Sequence, residues 1–174
     1  MSDSCIFACI CEGGAERVII DKLLDDNRLI FSRKDLLDRE LLRCRSASDF
    51  ERTYLSKGFS KKITLYRIND SRCERFKLKA AYKDKVDVEN IITSPEIEML
   101  IIIAEGKYRD YIKYKSTMKP SEYCKSKLGY HYVKKDYFLL DYFNNTDKLV
   151  AAIKEYKRLF HKGRKDKCLA DLLK

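Results

Sequence analysis

The run Cys5-Ile-Phe-Ala-Cys-Ile-Cys11 is apolar at every position and is stopped at once by Glu12-Gly13-Gly14. A strand with water on one face alternates apolar and polar residues. A run without alternation suits a strand covered on both faces, and such strands sit in parallel sheets with helices on either side. The opening residues therefore constrain the chain to a layered α/β fold.

The rest of the chain supplies matching parts. Ala15 to Leu24 places Val18, Ile19 and Leu23 at helical spacing, with Asp25-Asp-Asn27 closing that helix before a short strand at Leu29-Ile-Phe31, a β-α-β opening. Ser48-Asp-Phe-Glu51 has the form of a capping box and starts a second helix, with Phe50, Tyr54 and Leu55 as its buried stripe and Gly58 as its end. Ile63-Thr-Leu-Tyr-Arg-Ile68 reads as a strand that delivers Asn69-Asp70-Ser71 to its C-terminal end, the edge of a parallel sheet where ligands collect. Val86 to Ile92 is a weaker strand, and Thr93-Ser94-Pro95 starts a helix over Glu96 to Ala104. Leu149, Ile153, Tyr156 and Phe160 recur at helical spacing and predict a long C-terminal helix. The expected fold is a small parallel sheet of about four strands flanked by helices over residues 1–105, with a basic, tyrosine-rich helical extension over 106–174 packed on it as one compact domain.

Composition sets the boundaries of function. With 174 residues, 45% hydrophobic, 37% charged and two prolines, the chain suits one ordered domain. Its apolar stretches, Met99 to Ala104 among them, fall far short of the ~20 residues a membrane helix needs, so no membrane partner is expected. No basic region precedes the first apolar run, which speaks against export. Seven cysteines without a CxxC pair, and two histidines, suit neither a disulfide framework nor a zinc site and fit a reducing cytoplasm. Cys5, Cys9 and Cys11 share one face of the first strand, where they read as small core residues. His131 and His161 stand near no acidic motif and receive no role.

Charge is divided along the chain. Residues 1–60 carry ten Lys/Arg against eleven Asp/Glu, whereas residues 105–135 carry nine against three together with six of the twelve tyrosines. Cations interleaved with aromatic rings suit a phosphate backbone with stacked bases, which makes nucleic acid the expected partner. The residues expected to contact it are Lys107, Arg109, Lys113, Lys115, Lys119, Lys125 and Lys127. The competing reading of this stretch is an amphipathic helix whose tyrosines pack on the core.

Glu12 follows the first strand and Asp70 follows a later one, so both carboxylates are expected at the same sheet edge. Two converging carboxylates suit Mg²⁺, a hard cation that keeps several waters for a substrate phosphate. The alternative is that each only caps a helix N-terminus. Glu96 and Glu98, two apart on a helix, cannot both face one ion.

Glu12-Gly13-x-x-Glu16 between an apolar strand and a helix, with an acidic residue after a later strand, resembles the TOPRIM domain of topoisomerases, primases and OLD-type nucleases. The stretch from Ser94 to Ile102, Ser-Pro-Glu-Ile-Glu-Met-Leu-Ile-Ile, is similar to the Asn-Pro-x-Phe-Glu segment of RloB-like proteins, a related group found beside bacterial phage-defence systems. The resemblance covers about residues 5–105 and implies four parallel strands, Mg²⁺ or Mn²⁺, and cleavage or joining of phosphodiesters. Carried over, Glu12 and Asp70 are the catalytic and metal-binding carboxylates. The family's Asp-x-Asp pair is broken, with Ile68 and Arg72 flanking Asp70, and Glu74, or Glu96 and Glu98, stand as substitutes. Two functions follow: a nuclease or nuclease subunit, or a non-catalytic relative that binds nucleic acid or a partner ATPase subunit, either of them as a monomer or an oligomer. A phosphotransferase using the Gly13-Gly14 turn ranks below both, since those glycines lack Walker-loop spacing.

Overall fold

In the computed structural model, which describes residues 6–56, 61–70, 76–93 and 97–174, the first apolar run forms strand β1, Ile6–Cys11. Helix α1, Gly14–Asp25, follows with Ile19, Ile20, Leu23 and Leu24 buried along one stripe. Helix α2, Ala47–Phe50, continues as one wider turn over Glu51–Leu55. Strands β2, Ile63–Asn69, and β3, Val86–Ile92, complete a parallel sheet in the order β1-β2-β3. Ala8 lies opposite Leu65, and Leu65 opposite Val88.

Beyond the sheet come α3, Met99–Ala104, α4, Tyr108–Tyr111, α5, Pro120–Lys127, α6, Asp136–Tyr142, and the long α7, Thr146–Phe160. The expected C-terminal helix is thus present, and Leu149, Ile153 and Tyr156 are its buried stripe. No described helix is long and apolar enough to cross a membrane.

Alternation along the strands divides the core in two. Cys9, Tyr66, Ile68 and Ile91 face a large cluster with α1, α3 and α7, while Ala8, Ile10, Ile63, Leu65 and Val86 face a smaller one closed by Phe50 and Leu55. Both faces of β1 are covered, which is why its sequence does not alternate.

Three readings of the sequence change. Leu29-Ile-Phe31 is not a strand of the sheet. Residues 36–42 already run beside β1, with bridges at Phe7–Leu36 and Ile10–Leu42. Arg28 to Ile30 pair instead with the chain's last residues, Ile30 N–H donating to Leu172 O at 2.8 Å and Lys174 N–H to Arg28 O at 3.0 Å. Three strands therefore form the sheet among the described residues. The second helix is capped by Ser46, whose Oγ accepts the Asp49 N–H at 3.1 Å, and not by Ser48. Glu51, the expected capping partner, is buried and accepts the Lys79 N–H at 2.6 Å. Finally, the segment after Ala104 is no continuous amphipathic helix but two short helices joined by turns.

Candidate active site

The sheet ladder carries two acidic residues to one edge. Glu12 N–H donates to Ile68 O at 2.9 Å, one step past the end of β1, and Thr93 N–H donates to Asn69 O at 3.0 Å, one step past β3. Asp70 then leaves β2 beside Glu12, and its N–H donates to Glu12 Oε2 at 3.3 Å. The two residues singled out in the sequence are therefore neighbours at the C-terminal edge of a parallel sheet, both exposed to solvent. Glu74 and Glu96 lie outside the described residues.

Two further carboxylates belong to this edge. Glu16 stands in the first turn of α1 with its carboxylate folded back over Gly13, so closely that a Cβ on Gly13 would collide with it. A larger residue at 13 would therefore displace the end of the Glu16 side chain, while the backbone angle there is one any residue adopts. Burial holds the Glu16 carboxyl above its ordinary value of 4.5, and the negative charges of Glu98, Asp70 and Glu12 push it further the same way. Glu98, just before α3, is only 3% exposed at its side chain, and Lys134 from the extension reaches it at 3.3 Å.

A cavity of about 300 Å³ opens beside Glu12, lined by Cys11, Cys44, Arg45, Arg67 and Asn69. Arg67 is 5% exposed in β2, donates to Asn90 Oδ1 at 3.2 Å, and lies 4.6 Å above the Phe76 ring. Two guanidinium groups in one cavity with a carboxylate at its rim suit a phosphate held next to a cation. The thiols there are poor ligands or nucleophiles: the hydrogen bond that the Cys11 thiol shares with Cys9 as donor, and burial, raise Cys11, and burial pushes Cys44 up to about 11.

No family model, curated protein or solved structure matches this chain.

The donor set accommodates Mg²⁺ in one way. No group of three His, Cys, Asp or Glu side chains able to hold a metal exists among the described residues. Mg²⁺ does not need one, because it takes one or two carboxylates and fills its remaining positions with water and substrate phosphate oxygens. Glu12 and Asp70 are the two carboxylates at this edge that would hold it. Bound between them, the ion would supply a Lewis acid and a more acidic water.

The basic residues read from the sequence, Lys107, Arg109, Lys113, Lys115, Lys119, Lys125 and Lys127, are all exposed. Lys113 pairs with Asp110 at 3.2 Å, and Lys127 lies 4.8 Å from the Tyr114 ring centroid. Most of the accompanying tyrosines are structural. Tyr111 and Tyr123 are buried edge to face at 5.3 Å, and Tyr123 donates to Asp110 at 2.6 Å. Tyr130 and Tyr142 both donate to Glu105. The packing role thus accounts for most of the rings but not for the charges.

Sequence reasoning missed Arg45, Arg67 and Lys134. Arg67 had a visible signal, a charge inside an otherwise apolar strand. Nothing local marks Lys134, because its partner is thirty-six positions away in the chain.

Proposed function

We propose that the chain is a TOPRIM-like, Mg²⁺-dependent nuclease or nuclease subunit acting on DNA or RNA, of the kind bacteria use against phage. The observation that carries this reading is the Glu12–Asp70 contact at the C-terminal sheet edge, made by the two residues the family resemblance selects. The arginine-lined cavity beside Glu12 supports it.

Hydrolysis of a phosphodiester puts a water oxygen on phosphorus, breaks one P–O ester bond and passes a proton to the departing sugar oxygen. Glu12 and Asp70 hold the cation, and Arg45 and Arg67 take the phosphate charge. Glu16, folded back over Gly13 at the same edge, is the carboxyl that would exchange the proton.

A gel assay on labelled single-stranded and duplex DNA and RNA, with Mg²⁺ or Mn²⁺, tests this. Glu12→Gln keeps the side chain's shape and removes its charge, so cleavage should fall at least about a hundredfold, the scale typical of one lost electrostatic group. Undiminished cleavage by that variant would exclude the assignment.

One observation favours a second reading, a non-catalytic relative that binds nucleic acid or a partner ATPase subunit. Ile68 stands where a second aspartate of the family pair would be. Wild-type protein that binds nucleic acid and cleaves none in either metal selects this reading.

A further inference from the structure

Two tyrosines of the extension do not share the packing role of their neighbours. Tyr132 is 60% exposed and Tyr137 63%, the most open of the large hydrophobic side chains described. Their ring centroids are 6.4 Å apart and their planes tilted by 48°, so the rings stand as an open wedge and not as a closed stack. Neither hydroxyl makes a hydrogen bond among the described residues, whereas Tyr111, Tyr123, Tyr130 and Tyr142 all donate theirs.

The surroundings are cationic. Tyr132 borders a groove of about 310 Å³ that Lys125, His131, Lys134 and Lys135 also line, with Glu122 as its one carboxylate. Lys125 and Lys135 are exposed and make no ion pair among the described residues. The groove also adjoins the carboxylate edge. Lys134 reaches Glu98 at 3.3 Å, and Asp136 Oδ1 lies 3.6 Å from the position a Cβ on Gly14 would take. The segment carrying both rings is therefore joined to Glu98 at the start of α3 and passes beside Gly14, in the turn between Glu12 and Glu16.

The geometry points to a base-stacking platform, formed by Tyr132 and Tyr137, that delivers single-stranded nucleic acid to the Glu12 edge. A duplex hides its base faces in its own stack, so exposed tilted rings reward only unpaired bases, while Lys125 and Lys135 neutralise the adjoining phosphates. Every base has a face to stack, so the selection is for strandedness and not for sequence. This inference rests on the proposed action at the carboxylate edge and names the substrate class for it.

Fluorescence anisotropy in Ca²⁺ or EDTA, with a labelled dT20 strand, an RNA strand of equal length and a hairpin duplex, tests the platform without cleavage. The wild type should bind both strands more tightly than the hairpin. Tyr132→Ala with Tyr137→Ala should lose about tenfold or more in single-strand affinity, from stacking alone, and leave hairpin affinity unchanged. Tyr132→Phe with Tyr137→Phe keeps the rings and should bind as wild type, and the melting temperature of both variants should match wild type because the side chains are exposed. Unchanged single-strand binding by the alanine variant, or equal losses for strand and hairpin, overturns the platform and leaves the rings to a protein partner. Ring-dependent binding without any cleavage would remove the nuclease reading alone, and cleavage indifferent to the rings would remove the platform alone.

Discussion

Lys134 holds its ammonium 3.3 Å from a Glu98 carboxylate that is almost wholly shielded from water. Through this contact the basic extension is joined to the residue that precedes α3, whose charge also acts on Glu16. Lys134 itself is largely exposed, so the cost of breaking the contact lies on the Glu98 side, as desolvation of a carboxylate that has lost one of its partners. Lys134→Met should lower stability by about 1–3 kcal/mol, measured by urea unfolding. Adding Glu98→Gln to it should restore part of the loss, and a double-mutant cycle without coupling would show that the contact contributes nothing.

Glu16 gives a pH signature. Its folded-state carboxyl titrates above the ordinary 4.5, because burial and the charges of Glu98, Asp70 and Glu12 disfavour its ionised form. Raised folded affinity for the proton means that ionisation costs stability. The cost is absent below pH 4.5, where Glu16 is protonated in both states, and grows as pH rises through the folded value. Glu16→Gln should therefore be more stable than wild type at neutral pH and lose that advantage below pH 4.5, as read from melting temperatures across pH. A divalent cation between Glu12 and Asp70 reverses the local field. Carbon-13 NMR titration of the Glu16 carboxyl should accordingly show its pKa fall on adding Mg²⁺, and no change would mean that no cation enters this edge.

Much of this edge was legible in the sequence because it depends on local order. An unbroken apolar run announces a strand covered on both faces, and residues directly after such strands must arrive at the same edge when the strands are parallel, which placed Glu12 beside Asp70. Leu29-Ile-Phe31 was misread because its composition suits a strand while its partner is the distant end of the chain, at Leu172 and Lys174. Ser48 was misread as a cap because Ser46, two residues earlier, offers the same hydroxyl. The tyrosines were ambiguous for a related reason: composition counts rings but does not show which are covered, and only the folded extension separates buried Tyr123 from exposed Tyr132. Likewise, no periodicity could show that residues 131–137 return to the carboxylate edge.

The exposed cations of the extension make the last prediction. Lys113, Lys115 and Lys119 lie between α4 and the start of α5, all exposed, with only Lys113 engaged in an ion pair among the described residues. Charges of this kind contribute little to folding, so replacing all three by Gln should leave the melting temperature nearly unchanged. Their effect should appear in binding. Each phosphate contact releases condensed counterions and contributes about −0.9 to the slope of log K against log salt for a duplex, or about −0.7 for a single strand. The triple variant should bind a labelled strand more weakly, with a slope flatter by roughly two units if all three residues touch phosphates, 3 × 0.7. The strand-versus-hairpin preference should survive, because it belongs to Tyr132 and Tyr137 and not to the lysines. Unchanged affinity and slope in a salt titration would reduce these lysines to a solvated face and confine recognition to the groove beside Tyr132.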